Sequence, residues 1–152
     1  MTDIVNVGIA TVDAIGRNID SFPEPGGLVM FETLHVTTGG CAVNCAIDLA
    51  KMGIASSLIV KVGQEMLGDF VLAEATKYGI DISRCRRDPA ANTAYTFVAV
   101  ESRGERRFFH AVGSNATFRA EELDVDFVTR HRLCYVGGAM VMPGLDGAPL
   151  AG

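Results

Sequence analysis

Between Cys41 and Met52 nine of twelve residues are apolar, with Gly39-Gly40 in front and Gly53 behind. That run is longer than an ordinary strand, and a glycine directly after it is a natural C-cap, so a helix is expected here. Its polar residues Asn44, Asp48 and Lys51 stand at i, i+4 and i+7 and form one narrow stripe, which predicts a helix otherwise buried all round. The flanking segments read as the layers around it. Ile4 to Ile9 is mostly β-branched and reads as a buried strand, and Ser56 to Val62 as a second core strand. Leu67 to Tyr78 reads as an amphipathic helix ending at Gly79, followed by a brief extended piece, Ile80 to Ile82. Strand, helix, strand, helix in this order predicts an α/β fold with a parallel sheet and crossover helices.

Two stretches break that order. Phe22-Pro23-Glu24-Pro25-Gly26-Gly27 is a strong turn signal between extended pieces at Ile15 to Ile19 and Leu28 to Val36. Thr93 to Glu101 and Arg106 to Val112 flank Ser102-Arg103-Gly104-Glu105, a good hairpin turn. Both are expected to be antiparallel excursions from the core. A helix near Glu121 to Arg130 then leads to a buried strand, Leu133 to Val136, and turn signals alone follow Met142.

Thirteen Lys and Arg against eighteen Asp and Glu give a net charge of −5, and the nearest basic groups are Arg84-Cys85-Arg86-Arg87 and Arg106-Arg107. Phosphate neutralisation needs clustered cations, so no nucleic-acid partner is expected, and these arginines read as solvated loop charge. No apolar run approaches the ~18 residues of a membrane span, and Met1-Thr2-Asp3 opens no export leader, so a cytoplasmic protein without membrane attachment is expected. Four cysteines in this length are not a disulfide framework. Cys41 and Cys45 share a helix face as zinc ligands would, but no CxxC or nearby His completes a set, and small buried hydrophobes are expected instead.

Gly39-Gly40 before a helix allows a ligand close to the backbone, where unpaired N–H groups suit hydroxyl or anionic oxygens; a plain turn is the alternative. Asn44 has both a donor and an acceptor for a polyol edge, or is satisfied by neighbouring backbone. Asp13, just past the first strand, stands where open α/β sheets bind ligands and can accept from adjacent hydroxyls, or serves as a turn or cap residue. No G-x-G-x-x-G, P-loop or hydrolase signature occurs.

Gly8 and Asp13, the run from Thr38-Gly39-Gly40-Cys41-Ala42-Val43-Asn44-Cys45-Ala46 through Gly53, the segment Val62-Gly63-Gln64-Glu65-Met66-Leu67-Gly68, and Gly104-Glu105-Arg106 resemble the ribokinase-like (PfkB) carbohydrate kinase family along nearly the whole chain. The resemblance implies a ribokinase-like parallel sheet with flanking helices and a small antiparallel β-sheet lid formed by excursions at about 14–38 and 93–112, with 1–152 as the N-terminal portion of the domain. It implies that Asp13 binds substrate hydroxyls and that Gly39, Gly40 and Asn44 contact a sugar or nucleoside. By strand alternation Thr96, Val98 and His110 fall on a lid face near the pocket, although plain packing is the alternative for His110. The lid implies a homodimer.

The chain departs from the pattern at Cys41, where ribokinases often carry Lys, at Gln64-Glu65 in place of a Gly-Asp-Asp-type segment, and at Gly137-Gly138-Ala139, where an acidic ligand is usual. The family's second signature, Gly-Ala-Gly-Asp, with its catalytic base and ATP site, is absent from these residues. The expectation is therefore the substrate-binding and lid portion of an ATP-dependent sugar or nucleoside kinase, cut short of the remainder. The full-length protein would use ATP and Mg²⁺, and neither is expected on this chain alone. The rival reading is a non-catalytic binding or assembly module that keeps the lid as an interaction surface.

Overall fold

The computed structural model describes residues 3–147. In chain order its elements are β1 (Ile4–Gly8), β2 (Thr11–Arg17), β3 (Thr33–Gly39), α1 (Cys41–Lys51), β4 (Ser56–Gly63), α2 (Met66–Lys77), β5 (Arg86–Asp88), β6 (Ala94–Val100), β7 (Arg106–Ala111), α3 (Val125–Thr129) and β8 (Leu133–Gly137). Short 3-10 turns at Gly113–Thr117 and Ala120–Glu122 precede α3. The strands form two sheets. One is parallel in the order β5-β4-β1-β8, and the other is smaller, in the order β3-β2-β6-β7.

β4 is buried at every position, as a parallel strand covered on both faces must be. On one face Leu58, Val60 and Val62 pack with Val43 and Ile47 of α1 and Val71 and Ala75 of α2. On the other, Val5, Val7 and Ile59 meet Phe118, Met142 and Leu145. The expected alternation of strand and helix is therefore present. The predicted strands at Ile4 to Ile9, Ser56 to Val62 and Leu133 to Val136 and both long helices lie within two residues of their observed bounds, but Leu133 to Tyr135, expected in a buried strand, are exposed because β8 is an edge strand among the described residues.

The small sheet is mixed. Its outer pairs, β2 with β3 and β6 with β7, are antiparallel as expected of two excursions, and the excursions join through the parallel pair β2 and β6. Its first strand runs from Thr11, ahead of the expected Ile15, and β3 opens at Thr33, so Leu28 to Phe31 forms no strand.

Four other expectations are corrected. α1 buries one side only, through Ala42, Val43, Ala46 and Ile47; Cys41 is exposed and Cys45 half-buried, because among the described residues nothing covers the helix's outer side. The helix expected over Glu121 to Arg130 is a 3-10 turn followed by the five-residue α3, whose N-cap Asp124 accepts from the Phe127 N–H at 2.9 Å. The arginines of 84–87 are anchored rather than merely solvated. Arg84 pairs with Asp124 at 2.8 Å, Arg86 donates to the Glu122 carbonyl, and Arg87 donates to the Gly63 carbonyl. Their anchoring creates β5, a strand with no apolar residue and hence no signal of its own. Ala148 and Pro149 of the expected closing turn, and Met1-Thr2, lie outside the described residues.

A buried charge cluster ties β4, β5 and the turns before α3. Lys61 Nζ lies 2.8 Å from Glu122, 3.3 Å from Asp88 and 3.1 Å from the Thr117 carbonyl. The Thr117 hydroxyl, the Ala90 and Ala91 N–H groups and Lys61 together hold the Asp88 carboxyl well below the usual carboxylate range, against the opposing cost of its burial.

Candidate functional site

The register of the small sheet lines up four polar residues across its strands. Thr37 on β3 is opposite Asp13 on β2, Asp13 is opposite Thr96 on β6, and Thr96 is opposite His110 on β7. Partners in register share a face, so the four side chains form one row. Asp13 thus belongs to β2, not to a turn past β1: β1 ends at Gly8, where φ is +147° and a Cβ would lie 1.9 Å from the Gly137 carbonyl oxygen. The chain crosses to the small sheet through Ile9-Ala10.

Within the row, the Thr11 hydroxyl donates to Asp13 Oδ1 at 2.9 Å, and Thr96 Oγ1 lies 3.0 Å from His110 Nδ1. His110 therefore has a side-chain partner beyond plain packing. Val98, buried, lies two residues along β6 on the same face, opposite Ile15 and Phe108. It adds an apolar strip beside the polar row.

Gly39 explains how the carboxylate meets the start of α1. A Cβ at Gly39 would lie 2.2 Å from Asp13 Oδ2 and 2.6 Å from Thr11 Oγ1, so only glycine leaves room for Asp13 here. Gly40, at φ +94°, presses on the Ile9 carbonyl, where a Cβ would come within 2.4 Å. Asn44 lies one turn further, exposed, and lines a pocket of about 220 Å³ with Thr37, Thr38, Asp48, Lys51 and Tyr78. Thr37 is common to the row and to this pocket. The structure therefore groups Asp13, Gly39, Thr96 and His110, brings Asn44 to the edge of that group through Thr37, and sets Val98 and Gly40 beside it.

The sequence reading missed Thr11 and Thr37. Their signal is alternation, Thr11 with Asp13 on β2 and Thr37 with Gly39 on β3, and it is hidden because the expected strands begin too late on β2, at Ile15, and end too early on β3, at Val36. Glu65 was also missed as a structural residue. Burial works against its charge, but the Thr93 hydroxyl and N–H, its own N–H and Arg87 outweigh that cost and keep its carboxyl below the usual range. Its Oε1 accepts from the Thr93 N–H at 2.8 Å, and the Thr93 hydroxyl accepts from the Gly63 N–H at 2.9 Å, which joins the end of β4 to the entry of β6.

The cradle at the start of α1 has a definite chemical preference. A helix N-terminus with two glycines could take a phosphate, but here the Asp13 carboxylate lies against Gly39 and would repel one. Donor groups fit it, and neighbouring hydroxyls of a polyol are donors. Among the described residues no other glycine pair opens a helix, and no group of three or more metal-ligating side chains is present. No helix of the described residues is long and apolar enough to cross a membrane.

Comparison with known proteins gives a consistent result. A family model described as pfkB family carbohydrate kinase matches residues 1–150. Fructokinase-2 of Oryza sativa subsp. japonica is 28% identical over 123 residues, which is 78% of this chain and 37% of that protein. A ribokinase of Staphylococcus aureus is 29% identical over 126 residues, 79% of this chain and 40% of its own length. An Arabidopsis thaliana ribokinase solved with ribose and ATP matches in fold with a TM-score of 0.79 at 21% identity, over 89% of this chain and 45% of that one. The chain thus spans less than half the length of these relatives and holds part of their fold.

Proposed function

The chain belongs to the pfkB family of carbohydrate kinases, and on that premise we propose that it forms the sugar-binding portion of an ATP-dependent kinase that transfers the γ-phosphoryl group to a substrate hydroxyl. The observation that carries this reading is the row Thr37, Asp13, Thr96 and His110 with Gly39 seated on the carboxylate. Asp13 accepts from substrate hydroxyls, Asn44 and the backbone at Gly39 and Gly40 hold other edges of the sugar, and Thr96, Val98 and His110 form the wall contributed by β6 and β7. The small sheet then acts as a lid over the substrate in the cytoplasm. A sugar is the favoured substrate, and a nucleoside offers the same ribose hydroxyls.

ATP, with its magnesium, supplies the phosphoryl group when bound, and the residues described here do not fit it. The base and the donors for the transferring group lie in the portion of the fold that this chain does not span. Asp13 itself is engaged as a hydroxyl acceptor, bonded to Thr11.

The sheet's other face supports self-association. Phe97 lies near Phe31 and Phe109, with Phe22 packed edge-on to Phe109 at 5.4 Å, and Leu28 and Met30 beside them are more than four-fifths exposed. Such a face on an open sheet is suited to a second copy of the chain.

Titration calorimetry with ribose, fructose, 2-keto-3-deoxygluconate, adenosine and ATP tests the reading. Binding of at least one polyol is expected, weakened about tenfold or more in Asp13→Asn, since charge-assisted contacts contribute about 1.5–3 kcal/mol each. ATP alone is expected to give no heat, and no acceptor to be phosphorylated. Polyol affinity unchanged in Asp13→Asn, or turnover that survives repurification and vanishes in that variant, overturns the assignment.

A further inference from the structure

Four passages of chain join the two sheets, and one side-chain amide links two of them. Asn115, 3% exposed, accepts from the Ala10 N–H through Oδ1 at 3.2 Å and donates from Nδ2 to the Ala10 carbonyl at 3.0 Å. Ala10 is the pivot between sheets. On one side of it the Ile9 N–H donates to the Gly137 carbonyl at 3.0 Å, and on the other Thr11 begins β2. The Asn115 amide therefore supplies the donor and the acceptor that a neighbouring strand would have given Ala10.

Asn115 is fixed just beyond the exit of β7. The Ser114 N–H donates to the Asn92 carbonyl at 2.8 Å, and the Ser114 hydroxyl donates to the Lys61 carbonyl of β4 at 2.8 Å. Gly113, between them and β7, lies so close to the passage into β6 that a Cβ would come within 2.4 Å of the Asn92 carbonyl oxygen. One amide thus holds the residue that leads to Asp13, from a turn that is itself bound to the residues leading to Thr96.

We propose that Asn115 is a positioning residue that couples Asp13 on β2 to Thr96 and His110 on β6 and β7; its functional meaning rests on the reading of that row as the sugar-binding face. Asn is the residue the geometry requires. Asp would set a second oxygen against the Ala10 carbonyl, Leu would leave both Ala10 groups unpaired, and Gln is one methylene too long for both bonds at this distance.

The test is hydrogen exchange on the whole chain, read as protection factors, in wild type and in Asn115→Asp. At neutral pH the variant is expected to lose protection about tenfold or more at Ala10 to Asp13, with β4 unchanged, since one hydrogen bond is replaced by two facing oxygens. Acidification is expected to restore protection, because a protonated carboxyl again offers one donor and one acceptor and burial beside a carbonyl raises its pKa. Lys61, whose carbonyl accepts from Ser114, is paired with Asp88 and Glu122, and the wild-type profile measures any contribution from these groups and from Asp13 and His110. Asn115→Ser, which keeps only a small hydroxyl, is expected to give a milder loss at the same amides with no acid recovery.

Loss spread equally over β4, or no recovery in acid, overturns the inference. Fructose and ribose affinity, measured alongside, separates it from the functional reading. Affinity in Asn115→Asp is expected to follow the same pH profile, whereas Asp13→Asn is expected to lose affinity with protection intact. If the exchange result holds while wild type binds neither sugar, the coupling stands and the sugar-face assignment falls.

Discussion

β4 and β7 show how differently the two sheets are built. All eight residues of β4 are buried and all six of β7 are exposed. The parallel sheet is covered by α1 and α2 on one side and by Phe118, Met142 and Leu145 on the other. The mixed sheet is largely buried along β2 and β6, carries a polar row on one face and a phenylalanine group on the other, and is exposed throughout its edge strand β7. On the proposed reading recognition falls to the mixed sheet, and the close glycines and the Asn115 amide stand at the passages between the two sheets.

The strongest way to break that contrast is to disturb the charge cluster inside the parallel sheet. Lys61→Ala removes the cation between Asp88 and Glu122 and leaves two carboxylates without it, one of them buried. Removing one partner of a buried pair costs about 3–5 kcal/mol, so the urea midpoint is expected to fall sharply. Lys61→Met with Asp88→Asn and Glu122→Gln, which removes the charges together, is expected to recover much of that loss. A midpoint unchanged in Lys61→Ala would mean that the core does not depend on this cluster.

The two sheets also differed in how openly the sequence announced them. Apolar runs reveal β1 and β4, whose burial on both faces selects such residues, and they reveal β8 and α1 as well, although β8 is mostly exposed and α1 buries one side only. β5 gave no such sign: Arg86, Arg87 and Asp88 become a strand only through partners distant in sequence, Glu122, Gly63 and Thr117. In the small sheet, family resemblance puts forward Asp13 and strand alternation adds Thr96 and His110, but their alignment in one row depends on the parallel pairing of β2 with β6, a contact about eighty residues apart that local pattern cannot encode. Cys41 shows the opposite failure. An apolar segment suggested burial, but burial of α1 depends on what lies over its outer side.

A milder perturbation is acid. The Asp88 pKa is depressed in the folded state, so its contribution is fully present above the unfolded value of about 3.9 and is lost as pH falls below it toward the folded one. The unfolded chain binds more protons in that window, and stability therefore rises with pH there. Wild type is expected to lose its denaturation midpoint more steeply than Asp88→Asn below about pH 4, with the two curves parallel near neutrality. Parallel curves throughout would remove Asp88 from the acid response.

The smallest expected effect lies on β7. Phe108 is 59% exposed, with Arg106 over its ring at 5.8 Å, and it is opposite Val98 on the face that carries Asp13. An exposed ring on an edge strand loses little packing when truncated, so Phe108→Ala is expected to change stability by no more than about 0.5 kcal/mol, against about 2–5 kcal/mol for Leu58→Ala in β4. Paired urea titrations of the two variants give the ratio directly. A loss above about 1 kcal/mol in Phe108→Ala would mean that β7 is covered in solution, and the contrast between the sheets would fail at its exposed end. If stability holds while polyol affinity drops, Phe108 joins Val98 in the apolar strip beside the polar row, and the mixed sheet's part in recognition extends to its edge.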